Sequence, residues 1–389
     1  MIPVARPWMD DREADAARRA ILSGWVTQGP EVAAFEREFA AAVGADHACA
    51  VSSCTTALHV ALMAFGVGPG DEVVTVSHSF IATANAIRHC GATPVFVDVE
   101  LETSNIDPRQ VEGAISARTK AILCVHQLGM PCDLAALVPL AASKGLPLIE
   151  DAACAAGSEI LWDGTWERIG RPRGEVACFS FHPRKLLSTG DGGMLTTSNA
   201  VLDRKFRLLR QHGMSASDSA RHASTRVVTE SYTLLGYNYR LTDIQAAIGR
   251  EQLKRLPAMV ACRRELADRY QQRLSGLAGV TTPQEPAWAR TNWQSYAVRL
   301  QPTLHRDQVM QRMLDDGIAT RRGVFNAHAE PAYPRDAWRA APGGLANSEQ
   351  VAASTLVLPL YHQMTIEEQD RVIAALARAC GSEVESKGA

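Results

Sequence analysis

The sequence predicts an α/β protein built on a doubly wound, mostly parallel sheet, followed by a smaller α+β unit. Three observations predict this. Compact apolar runs of strand length alternate with amphipathic runs of helix length through the first two-thirds of the chain. Those strand-length runs are apolar throughout, as strands covered by helices on both faces must be. After Leu241 the texture changes to a long helical pattern rich in Arg, Glu, Ala and Leu. With 389 residues, 46% of them hydrophobic, the chain can bury a large core and is expected to form two domains. The expected division is a large domain at 1–255, opening with a helical segment, and a small C-terminal α+β domain at 256–389.

The elements follow in order. Glu31–Val43 reads as an amphipathic helix, Ala48–Ser52 as a short strand and Thr55–Phe65 as a helix. "GVGPGDE" (Gly66–Glu72) has the glycines of a dinucleotide loop. It follows a helix and precedes a strand, the reverse of what that fingerprint needs, so it reads as a turn. Glu72–Ser77, Thr93–Val97, Thr119–Val125 and Pro147–Asp151 read as buried strands. Ile81–His89, Pro108–Ile115 and Asp133–Lys144 read as the helices between them, with Pro108 suited to a first helical turn. "CFSFHPRKLLSTGDGG" (Cys178–Gly193) opens as a strand and closes in a glycine turn, with Lys185 at the strand exit. Thr242–Leu277 reads as a long helix, Thr291–Leu300 as a strand, and Arg306–Asp316 and Thr365–Ala379 as helices. The tail "GSEVESKGA" reads as a disordered end.

Several functions are excluded by composition. A net charge of −2 with no basic patch argues against a nucleic-acid or anionic-membrane partner. No apolar run approaches the roughly 20 residues that span a bilayer, and "MIPVARPWMDDREADAARR" lacks the apolar segment of a signal peptide. A cytoplasmic protein is expected. The nine cysteines are scattered without a C-x-x-C pair, which points to reduced core residues rather than disulfides or a metal site.

Ligands of such sheets gather at the carboxyl ends of the strands. Three features fall there. "AVSSCTTALHVAL" places small polar residues where a strand gives way to a helix; free N–H groups and the helix dipole make a phosphate cup, or serve ordinary capping. "LPLIEDAACAAG" ends an apolar strand in Glu150 and Asp151, and a carboxylate there needs a cation or donors, or caps a helix. Lys185 is either a solvated side chain or an amine nucleophile. Singly, the ordinary roles suffice. As an ordered set the three match pyridoxal phosphate, which needs an amine for its aldehyde, a carboxylate for its pyridine nitrogen and a cup for its phosphate. Ser180, on the strand before Lys185, can add a hydroxyl to that phosphate.

The chain resembles the DegT/DnrJ/EryC1/StrS family of sugar aminotransferases, pyridoxal-phosphate enzymes of fold type I. The resemblance rests on "SGWVTQGPEVAAFEREFA", "GVGPGDEVVTVSHSFIATANAIRHCGATPVFVDVE", "NIDP", "IEDAA", "CFSFHPRK", "GDGGML", "LRQHG" and "GYNYRLTDIQAAIGREQLKRL", in the family's order along nearly the whole chain. It implies Lys185 as the lysine that binds the cofactor covalently and Asp151 as the partner of the ring nitrogen. It implies Cys54 and Thr55 in the phosphate cup with Ser180, Phe80 stacked on the cofactor, and Asn238 reaching the cofactor of a neighbouring subunit. A homodimer with shared active sites is therefore implied. Cys154 stands where the family often has Gln or His beside the cofactor's ring oxygen; a thiol is a weaker donor. The implied reaction takes an amino group from an amino acid, glutamate or glutamine, and gives it to a keto-sugar, usually nucleotide-linked. Arg240, Arg321 and Arg322 are candidates for a diphosphate, and Trp25 and His328 for the sugar site. A lysine beside a cationic ring is expected to titrate low. Three alternatives remain open from the sequence: a cyclitol or other secondary-metabolite ketone as acceptor, a dehydratase, against which the retained Lys185 argues, and a non-enzymatic cofactor-binding regulator.

Overall fold

The computed structural model describes residues 1–216, 221 and 224–381. The tail from 382 onward and part of the 214–232 segment lie outside the described residues. An eight-stranded sheet runs in the spatial order His47–Val51, Gly193–Thr197, Val176–Ser180, Leu148–Asp151, Thr119–Val125, Glu72–Val76, Thr93–Val97, Arg339–Ala340. From Val176–Ser180 to Arg339–Ala340 every neighbour is parallel. Gly193–Thr197 runs antiparallel to both of its neighbours. The segment before it carries no helix to form a crossover, so the chain returns directly.

The parallel strands are buried along their length, which is why they read as continuous apolar runs. Helices Cys54–Ala64, Ala82–His89, Pro108–Ala114 and Leu134–Ser143 fill the gaps between them, within a residue or two of expectation. One expectation is corrected. The strand expected over Thr291–Leu300 begins only at Tyr296. Trp293 sits at φ 50° and the Asn292 side-chain oxygen accepts from the Gln294 N–H, so the chain turns before it extends.

Two apolar cores form. The first wraps the large sheet, with the Phe39 ring packed against Phe179 and Phe181. The second gathers Tyr270, Tyr296, Leu356 and Leu376 about a four-stranded sheet of Val280–Thr281, Tyr296–Leu300, Thr355–Leu358 and Arg321–Arg322. One 32-residue helix, Asp243–Leu274, feeds both: Ala246 and Leu256 enter the first core, Leu266 and Tyr270 the second. The N-terminus is tied to the second core, through Leu360 N–H donating to the Val4 carbonyl and Ile2 pairing beside Ile318.

Candidate active site

Glu150 and Asp151 are consecutive on a strand and so point to opposite faces. Their fates differ accordingly. Glu150 is fully engaged: it accepts from Gly174 N–H at 3.0 Å and pairs with His126 Nε2 at 3.1 Å. His126 Nδ1 accepts the Cys132 N–H, so the ring proton belongs on Nε2 and is donated to Glu150. Asp151 is 4% exposed and accepts only from Thr83 Oγ1 at 2.8 Å and Ala153 N–H at 3.1 Å, apart from a long Cys54 thiol contact. Burial pushes its carboxyl up, and Thr83, Ala153, Lys185 and His126 pull it back only in part. This carboxylate has an unmet demand for positive charge.

Lys185 follows the Val176–Ser180 strand in a turn closed by its N–H on the His182 carbonyl. Its Nζ donates to Cys154 Sγ at 2.9 Å. Burial pushes the ammonium down, but Cys154, then Cys54 and Asp151, hold it up, and the net direction is upward. In the chain alone the groups that hold the ammonium up are two thiols and a carboxylate; the low-titrating amine expected beside a cationic ring concerns the cofactor-bound enzyme.

The third element is the N-terminus of the 11-residue helix Cys54–Ala64. Ser53 caps it by accepting from Thr56 N–H, and Ala57 N–H makes the first helical bond to the Ser53 carbonyl. The N–H groups of Cys54 and Thr55 are left for a ligand. Gly193 lies directly behind: a Cβ there would meet the Ser53 carbonyl at 2.5 Å and the Cys54 nitrogen at 2.7 Å. Only glycine lets the neighbouring strand back onto this junction.

These pieces face one cavity of about 560 Å³. Lys185, Asp151, Cys54, Thr55, Phe80, Cys154, Ser180, Arg321 and Arg322 all line it. Phe80 is 60% exposed and packs edge-on against Phe325, so its ring is available rather than buried in the core. Three residues expected at the substrate site, Trp25, Arg240 and His328, do not line it, and neither does Asn238, which was expected at a neighbouring subunit's cofactor. Trp25 packs over Gly29 at the start of a helix, and Asn238 lies in an exposed segment paired with Gln211. Arg240 pairs beside Val51. His328 is held by Ser77 Oγ at 2.6 Å and stacks obliquely near Trp338. Three contributors were missed by sequence reasoning: Thr83, Gly193 and Gln294, which lines the cavity and donates to the Arg184 carbonyl. Thr83 opens a helix three residues after Phe80, and that junction was the available signal. A smaller cavity of about 310 Å³ adjoins the first along Gln127, Leu128 and Ser295 but holds none of the three elements.

Pyridoxal phosphate fits these residues. The under-compensated Asp151 suits a protonated ring nitrogen, the free N–H groups suit a phosphate, and an amine stands between them. The fold and this cavity define a pyridoxal-phosphate-dependent aminotransferase of fold type I. The chain belongs to the DegT/DnrJ/EryC1/StrS aminotransferase family, whose sequence pattern matches residues 7–377. It is 38% identical over 379 residues to the spore coat polysaccharide biosynthesis protein SpsC of Bacillus subtilis (strain 168), covering 96% of each chain. Among solved structures it is similar to the aminotransferase TlmJ from Streptoalloteichus hindustanus, at TM-score 0.88 and 36% identity over 98% of this chain and 99% of that one. It is also similar to DesV from S. venezuelae, at TM-score 0.86 and 35% identity over 97% of this chain and 98% of that one.

Proposed function

We propose that Lys185 is the proton-transferring amine of this aminotransferase, and that the enzyme moves an amino group from glutamate or glutamine to a nucleotide-linked keto-sugar. The observation that carries the reading is the convergence of Lys185 Nζ, Asp151 and the free N–H groups of Cys54 and Thr55 on one cavity. Bound pyridoxal phosphate supplies an aldehyde that condenses with amines and a ring that withdraws electrons from the amine-bearing carbon. Asp151, oriented by Thr83 and Ala153, would hold the positive charge of the ring nitrogen. The Cys54 and Thr55 N–H groups and the Ser180 hydroxyl would hold the phosphate, and Phe80 would pack on the ring. The Lys185 amine would take the proton from the donor carbon as base and give it back as acid.

The name of the Bacillus relative, a polysaccharide biosynthesis protein, supports a sugar acceptor. Arg321 and Arg322 at the mouth of the cavity suit a diphosphate, since guanidinium forks bind phosphate oxygens in pairs. Asn238 and Arg240, which miss this chain's own cavity, are assigned to the cavity of a partner subunit in a homodimer. Exposed apolar side chains in the same parts of the chain, Ile21, Leu22, Val26, Tyr232 and Leu235, support such a contact. Among the described residues no helix is long and apolar enough to cross a membrane; with the near-neutral charge this supports a cytoplasmic enzyme. Borohydride treatment of the yellow holoenzyme is expected to fix the cofactor to the Lys185 peptide; a label on another lysine overturns the assignment. Glutamate with a panel of keto-sugar nucleotides and cyclitol ketones, read by product mass, tests the acceptor. Amination of cyclitols alone would reject the sugar.

A further inference from the structure

Cys154 occupies the turn after the Asp151 strand, and its thiol is the nearest hydrogen-bonding group to the free Lys185 amine. The contact is 2.9 Å, shorter than most contacts to sulfur, and both side chains line the same cavity. The backbone that carries the thiol is fixed. Asn292, which is fully buried, donates its side-chain N–H groups to the carbonyls of Cys154 and Ala156 at 2.8 Å each, clamping the turn on both sides of Ala155. On the other side, Gly157 carries φ +87° and lies so close to Val260 that a Cβ would stand 2.7 Å from it. The turn is therefore pinned to the long helix as well as to the turn that precedes Tyr296–Leu300.

We propose that Cys154 is a positioning residue for the reaction: whenever the Lys185 amine is not bound to the cofactor, the Cys154 thiol receives it and holds it at the cavity, aimed for proton transfer. The inference rests on the assignment of Lys185 as the proton carrier. A four-carbon side chain released into a cavity of about 560 Å³ has many rotamers, and a fixed acceptor removes that freedom at the moment the lysine has to act. The Cys154 thiol supplies that acceptor at 2.9 Å. The other titratable and charged groups facing the amine are Asp151 at the end of that strand, Cys54 on the cup helix, and His182 and Arg184 in its own turn. Asp191, His126, Arg321 and Arg322 lie further around the wall. Of all these only Cys154 bonds the amine.

The test follows Lys185 directly. Reductive methylation of the cofactor-stripped full-length chain with formaldehyde and cyanoborohydride, quantified on the Lys185 peptide across pH, reports the free amine. Because Cys154 holds the ammonium up, Cys154→Ala is expected to move the labelling midpoint down by about one pH unit, so that labelling below the midpoint runs about tenfold faster. Cys154→Ser keeps an acceptor without a titrating thiol and is expected to fall between the two. In the holoenzyme the acid limb of the kcat profile moves in the same direction, with kcat at its plateau down about fivefold and the donor KM unchanged. An Ala midpoint equal to the wild type overturns the proposal. If the Ala variant does not fold, the Ser variant decides: a midpoint and kcat profile identical to wild type overturn it equally. Turnover retained by Lys185→Ala would instead remove the assignment of Lys185, while the midpoint shift would still report the thiol contact.

Discussion

The cofactor side and the substrate side of the cavity are built differently. On the cofactor side, Cys54, Asp151, Ser180 and Lys185 stand at the ends of three strands of one sheet, or in the turn or helix that follows directly. Their spacing is set by strand registers such as Asp151 opposite Cys178, so a backbone shift at one would shift them all. On the substrate side, Arg321 and Arg322 come from the edge strand of the second sheet, and both are exposed. Asn238, Arg240 and Trp25 are not at this cavity in a single chain. The difference teaches that chemistry common to a class is fixed in the core of one subunit. On our reading selectivity is left to surfaces that two cores and two subunits bring together.

The largest expected effect tests that division across subunits. Lys185→Ala is expected to lose about 10³-fold in kcat, as removal of a general base does. If Asn238→Ala also costs most of the activity, mixing the two variants under demonstrated exchange of differently tagged chains is expected to restore turnover, up to one intact site per heterodimer. Complete exchange with no recovery would return Asn238 to its own subunit.

Asp151→Asn comes next, with kcat expected to fall about 10²-fold. Its stability signature is separate. Folding raises the Asp151 carboxyl, so the folded cofactor-free protein holds a proton that the unfolded chain gives up. This group's contribution therefore weakens stability as pH rises from the ordinary carboxylate range through the raised value. Asp151→Asn is expected to flatten that slope in a melting-temperature series; an unchanged slope would mean that the carboxylate is already compensated.

Gly193→Ala presses a methyl group into the backbone of Ser53 and Cys54. Cofactor affinity, measured by equilibrium dialysis, is expected to drop about tenfold while the far-ultraviolet spectrum is retained. The smallest effects belong to the mouth. Arg321→Ala and Arg322→Ala are each expected to raise the acceptor KM by up to about tenfold, with the donor half-reaction unchanged. Arg322 already spends part of its charge over the Phe325 ring at 5.2 Å and near Glu330, so Arg321 should show the larger change.

The same contrast governs what could be read from the sequence. Strand ends were legible because buried parallel strands are continuous apolar runs with abrupt polar exits, and Asp151 and Lys185 are such exits. Thr83 was not legible, because a buried hydroxyl facing a carboxylate looks like any threonine early in a helix. The turn at Trp293 was hidden inside an alternating pattern that imitates a strand. The direction of the Lys185 shift depends on which groups surround the amine in space, and Cys54 and Cys154 are far from it in sequence. The resemblance already put Asn238 at a neighbouring subunit, whereas no pattern within one chain says that Arg240 lies off the cavity its own chain builds.

The Asp243–Leu274 helix has a mechanical consequence. It is a rod of 32 residues, about 48 Å long at 1.5 Å per residue, anchored at both ends in different cores. Pro257 notches it near the middle by removing one backbone bond. A flexure of about 5° there swings the far end, some 17 residues on, through roughly 2 Å. Leu358 and Leu360, which belong to the core at that end, also form part of the cavity wall. Pro257→Ala would restore the missing bond and stiffen the rod between the two cores without touching a residue inside the cavity.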